Sequence, residues 1–173
     1  MEEITATARE DEVQLVVFTI SNEEFAAEIN QVKEIITPAN ITEVPSAPSF
    51  VYGVINLRGK LITIVDLHKR LGYESPQLTG STKIIVSDVK EGVLGMMVDN
   101  VLEVKRIPEK QIEPPPPMSA GRIDSEYIQG IAKTDDRLIV ILDLTKVLID
   151  EDEGRINQIQ EGGVTSDDEN IGS

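Results

Sequence analysis

The chain has 173 residues, no cysteine, one histidine, 3% aromatic residues and a formal net charge of −15. The missing cysteine excludes disulfide frameworks, thiolate zinc sites and cysteine nucleophiles; the acidic balance argues against neutralising a phosphate backbone, and the few aromatic side chains argue against stacking bases. No apolar run approaches the ~18 residues of a membrane span, so direct membrane insertion is not expected.

In chain order the first feature is an acidic end. Residues 1–12 and 150–173 hold 13 acidic and 2 basic side chains, a net of −11, so 13–149 carries the remaining −4. Both ends read as solvated, disordered tails. The acidic runs at 150–153 and 167–169 lack the glycine turn and ligand spacing of a calcium loop. The segment MEEITATARED has neither the basic region nor the apolar centre of a signal peptide.

Between the tails the apolar segments are short, rich in Val and Ile, and broken by turn residues. They cover 14–20, 32–36, 51–57, 61–65, 82–86, 93–98 and 138–142. Such lengths suit strands, and β-branched side chains pack well on pleated surfaces. Near-regular spacing of many short strands predicts an all-β barrel or sandwich.

The chain also matches itself. Shifted by 77 positions, 50–67 lands on 127–144, with six of 18 positions identical and five conservatively replaced. Phe50 meets Tyr127, Gly53 meets Gly130, and Asp66-Leu67 meets Asp143-Leu144. Upstream, a shift of 69 brings Leu15-Val16-Val17 onto Ile84-Ile85-Val86, Val32 and Glu34 onto Val101 and Glu103, and Pro45 and Pro48 onto Pro114 and Pro117. The difference between the shifts places about eight extra residues near 118–125. Two homologous β units follow, roughly 13–80 and 82–149, each with about five strands, the number that suits a small, partly open barrel. Each copy closes on an aspartate placed as an N-cap for a short helical stretch, 66–71 or 143–149.

Shared positions report what the fold requires. Gly53 and Gly130 mark a close backbone approach or a bend within a strand. The turns differ: Asn56-Leu57-Arg58-Gly59 in the first copy, Lys133-Thr134-Asp135-Asp136 in the second. Gly59 suits the positive φ of a hairpin, but nothing in turn chemistry explains an arginine where the other copy has an acid. A planar guanidinium suits an interface, with Glu34 as its intramolecular partner if 32–36 lies beside the hairpin. His68 has no counterpart in the second copy and reads as a surface side chain. With no phosphate loop, metal triad or nucleophile elbow, no enzyme is expected.

The segment FVYGVINLRGKLITIVDL at 50–67 resembles the signature of the chemotaxis coupling protein CheW. Supporting segments are Val32-Lys33-Glu34-Ile35, the Pro45 and Pro48 pair, Gly95-Met96-Met97-Val98-Asp99, and Tyr127-Ile128-Gln129-Gly130 followed by Asp136-Arg137-Leu138-Ile139. The resemblance spans about 13–149 and implies two five-stranded SH3-like barrels around a shared apolar core. It also implies a cytoplasmic adaptor without catalytic activity or cofactor, joining chemoreceptor cytoplasmic tips to the histidine kinase CheA, whose regulatory domain has the same duplicated fold. A regulatory-domain fragment of such a kinase, or part of a multi-domain coupling protein, is the alternative. By motif, the binding surface would include Val32, Glu34, Gly53, Asn56, Arg58 and Gly59, with Arg58 and Glu34 as its central pair. A face near Ile85, Gly95 and Val98 is a second candidate surface. Core packing is the competing reading there, and the preferred one for Val98.

Overall fold

A computed structural model describes residues 11–74, 77–89, 92–115 and 127–146. In it, eleven strands form two sheets. The first hairpin joins β1 (Glu12–Ile20) to β2 (Glu23–Glu28) through Ser21 and Asn22, both at positive φ. After a 3-10 turn at Ile29–Gln31 come β3 (Glu34–Ile36), β4 (Val51–Leu57) and β5 (Lys60–Val65). A short helix, α1 (Leu67–Arg70), ends the first copy. The second copy supplies β6 (Lys83–Val89), β7 (Gly92–Val98), β8 (Asn100–Pro108), β9 (Ile112–Glu113), β10 (Ile128–Thr134) and β11 (Arg137–Leu142), then a 3-10 turn at Leu144–Lys146. The expected β fold is what the chain adopts. β1 begins at Glu12, one residue inside the expected tail.

The duplication is legible in the pairing, with an exchange that contiguous halves do not anticipate. One sheet runs β8-β1-β2-β11-β10-β9 and the other β3-β6-β7-β5-β4. Replacing each strand by its counterpart in the other copy converts one order into the other, and the isolated bridge from Thr42 to Val54 stands where β9 pairs with β10. Each sheet therefore takes its first hairpin from the opposite copy, β1–β2 on β11 and β6–β7 on β5, both junctions being parallel. The units 13–80 and 82–149 are units of sequence, and the barrels are cut differently. Because the copies are alike, a hairpin finds the same edge in its neighbour as in its own half, the economy that underlies domain swapping.

The core follows from strand alternation. Leu15 and Val17 of β1 point into the six-stranded sheet's own interior with Ala26, Ile139 and Ile141. Ile62, Ile64, Ile84 and Met97 fill the five-stranded one. Phe18, Ile20 and Phe25 point the other way, into a core shared by the sheets that also holds Phe50, Ile85, Met96, Tyr127 and Leu142. Phe18 and Phe25 stack with centroids 6.4 Å apart.

Polar contacts pin the chain where it leaves the strands. Asp66 caps α1 by accepting from the Lys69 N–H at 3.2 Å, as its position predicts. Asp143 accepts from the Thr145 N–H at 3.0 Å. At the β2–β3 crossing, Gln31 donates to Asp143 Oδ1 at 3.1 Å and accepts from the Leu144 N–H at 2.8 Å. At the corresponding β7–β8 crossing, Asp99 accepts from the Ser21 N–H at 2.7 Å and lies 3.0 Å from His68 Nε2. His68 is thus not a surface side chain: it is only 2% exposed, because the face of α1 that carries it packs on β7. The tails, the extra residues at 118–125, Pro117 and the stretch beyond Lys146 lie outside the described residues.

Candidate functional site

The β4–β5 hairpin is built to hold one arginine in a fixed place. Leu57 pairs with Lys60, leaving Arg58 and Gly59 as a two-residue turn with φ of 52° and 86°. Positive φ at both central positions matches the right-handed twist of the flanking strands. Asn56 closes the turn, its Oδ1 accepting the Gly59 N–H at 2.9 Å. The second copy makes the same turn with Asp135 and Asp136, at φ of 47° and 63°. The conformation is common to both copies, so the chemistry at the tip is what distinguishes them.

Arg58 donates through Nη2 to Oε2 of Glu34, the expected pairing. Glu34 belongs to β3, which is separated from β5 by β6 and β7, so curling of the sheet is what brings them together. The Arg58 side chain is 69% exposed and that of Glu34 28%. The hydrogen bond to Glu34, reinforced by its charge, raises the guanidinium above its already high ordinary value, so Arg58 is a permanent cation. An exposed pair of this kind adds little to stability. What it does is orient: one planar cation is presented to solvent with its stem restrained at the turn and its head at Glu34.

Beneath the pair runs a cleft of ≈ 280 Å³ with an apolar floor of Leu57, Ile62, Val86 and Val93. Lys33 and Lys60 extend its charged rim. An apolar floor within a charged rim is the arrangement of a protein-binding surface. Lys60 and the floor escaped the motif reading because they converge from separate strands. Each floor residue falls in an apolar segment legible in the sequence, at 51–57, 61–65, 82–86 or 93–98, but nothing there shows that the four meet.

The remaining sequence-derived candidates divide by burial. Asn56 and Gly59 are exposed at the tip, and Val32 is half-buried against the shared core. Gly53, Ile85 and Gly95 are buried, which removes them from any surface that meets a partner directly. Gly53 sits under residues 41–42, Ile85 belongs to the shared core, and Gly95 lies against Ile64 and Ile84. Val98 is core, as preferred.

At the other end of the molecule the charge logic is reversed. Asp135 lies 3.6 Å from Lys105, and Arg137 reaches Glu24 at 2.7 Å and Glu103 at 3.1 Å. Glu103 is the counterpart of Glu34, and its cation comes from the position matching Lys60 instead of the turn. The Asp135-Asp136 pair is a hairpin turn, as its sequence predicts.

Among the described residues, no helix is long and apolar enough to cross a membrane. The family model described as "CheW-like domain" matches residues 14–152. The chain is 35% identical over 140 residues to the chemotaxis protein CheW of Thermotoga maritima, covering 79% of this chain and 88% of that protein. It is 34% identical over 139 residues to CheW of Rhizobium meliloti, covering 80% and 89%. The crystal structure of the scaffolding protein TtCheW from Thermoanaerobacter tengcongensis superposes with a TM-score of 0.73 at 38% identity, over 80% of this chain and 89% of that one. With its doubled β unit, its exchanged hairpins and a match that runs nearly the length of both barrels, the chain belongs to the CheW-like family of chemotaxis scaffold proteins.

Proposed function

We propose that the chain is a non-catalytic cytoplasmic adaptor that joins chemoreceptor cytoplasmic tips to the regulatory domain of the histidine kinase CheA. The observation that carries this reading is the Arg58–Glu34 pair, a restrained, exposed cation on the rim of an apolar cleft. Asn56 and Gly59 shape the tip, and Val32, half-buried against the shared core, leads into the strand that carries Glu34. Directed hydrogen bonds from a guanidinium suit recognition of another protein's backbone or carboxylates. Signal passes as a coupling free energy between docked partners, with no chemical step. Repetition in an array lets modest individual contacts hold through effective concentration.

The test is titration of the purified chain with a CheA regulatory domain and, separately, with a receptor-tip fragment. Arg58→Glu places a carboxylate beside Glu34 and reverses the charge at the tip. It is expected to weaken binding to at least one partner by about tenfold or more, as hot-spot arginines do, while the melting temperature stays that of the wild type. Wild-type affinity for both partners in this variant would overturn the site.

A further inference from the structure

We infer that Arg70 is a positioning residue that sets the angle between the two sheets, and through it the coupling between partners docked on them. The inference rests on the adaptor reading above. Phe50 and Tyr127 occupy the same place in the two copies. The Phe50 carbonyl accepts from the N–H of Asp66 at 2.6 Å, and the Tyr127 carbonyl accepts from the N–H of Asp143 at 2.8 Å. Both rings are buried in the shared core. The guanidinium carbon of Arg70 lies 5.3 Å from the centroid of each ring, and Nη2 donates to the Tyr127 hydroxyl at 2.5 Å.

A cation within ~6 Å of an aromatic face is attracted by the ring quadrupole, and a guanidinium adds a planar fork that a lysine lacks. One side chain therefore holds the two duplicated rings at once. Arg70 is in α1, which follows β5 of the five-stranded sheet, while Tyr127 leads directly into β10 of the six-stranded one. The contact thus runs from sheet to sheet. The shared core around it is built of apolar side chains, whose burial is non-directional and leaves small sliding motions open; other directed bonds between the sheets sit at a strand crossing, where Asp99 meets Thr19 and Ser21. The Arg70 bonds have direction. The interiors of the two sheets are separate clusters that do not contain these rings, so loosening Arg70 relaxes the angle about the Asp99 crossing and leaves each sheet intact.

The test uses the full chain, with Arg70→Gln, Arg70→Lys and Tyr127→Phe. Affinity for the kinase regulatory domain is measured with and without saturating receptor-tip fragment. In the wild type the fragment is expected to change that affinity by about fivefold or more. In all three variants each partner binds alone as it binds the wild type, and the factor falls toward one. Arg70→Lys fails to rescue because it keeps the charge and loses the fork. Tyr127→Phe removes a single oxygen and keeps the ring, so it reports even if Arg70→Gln does not fold. A wild-type factor of one, a variant that retains the full factor, or a variant that loses affinity for a single partner by itself would each overturn the inference. A wild-type chain that binds neither partner would instead overturn the adaptor reading, which separates the two failures.

Discussion

A methyl group at position 53 would stand 2.6 Å from the Thr42 carbonyl oxygen and 2.6 Å from Ile41 Cγ2. Its counterpart at Gly130 would meet Ile112 and Glu113 at 2.8 and 3.0 Å. Both glycines let a neighbouring segment cross over the start of a strand, and in both copies a bulge, between Val51 and Gly53 and between Ile128 and Gly130, adjusts the register there. The backbone carbonyl cannot swing aside as a flexible side chain would. Gly53→Ala is therefore expected to cost about 1–3 kcal/mol, read from urea denaturation. Any loss of partner binding in that variant follows from the displaced segment, since Gly53 offers no surface. Wild-type stability would show that residues 41–42 can yield. Arg58→Glu should behave oppositely, sparing the fold and weakening binding. Two residues five positions apart in one signature segment thus do different work, and burial is what tells them apart.

At the scale of elements, β5 shows how a strand serves two cores. Ile62 and Ile64 fill the interior of the five-stranded sheet, while Val65 belongs to the shared core. Ile64 is fully buried and also packs against the space left by Gly95. Ile64→Ala is expected to destabilise by about 2–5 kcal/mol, the range for a large-to-small change in a close-packed core, measured by chemical denaturation. A near-zero effect would mean that β5 is out of register. Four strands, β2, β8, β9 and β10, lie outside the apolar segments readable from sequence, and β10 is reached by the repeat. β2, EEFAAE, is rich in residues that favour helices, and becomes a strand because the Ser21-Asn22 turn folds it back on β1. β8 is an edge strand whose Leu102, Glu103 and Val104 remain exposed, so it carries little of the one-sided patterning that marks a half-buried strand.

For the whole molecule, the exchange of hairpins makes the two halves interdependent. A fragment of 13–80 contains β1–β5, but its first hairpin lacks β8 and β11 and its second lacks β7. Such a fragment is expected not to fold as a barrel by itself, judged by circular dichroism and amide dispersion in NMR spectra. The intact chain should unfold in one cooperative transition. A fragment with dispersed resonances and a sharp melt would show that the hairpin can pair within its own half.

By itself the sequence determined the β class, the duplication, the turn at residues 56–59 and the two capping aspartates. These depend on local chemistry: alternation, turn residues and the helix N-terminus act over a few positions. It also singled out Arg58 and Glu34, because comparing the copies exposed an arginine that the fold did not need. Tertiary structure decided which copy each hairpin joins, since equivalent edges look the same from sequence. Only the fold buried His68 against Asp99 and removed Gly53, Ile85 and Gly95 from the surface. Only the fold brought Arg70 over two rings lying 20 residues before it and 57 after it. Packing joins residues distant in the chain, and nothing in a short window of sequence specifies which of them will meet.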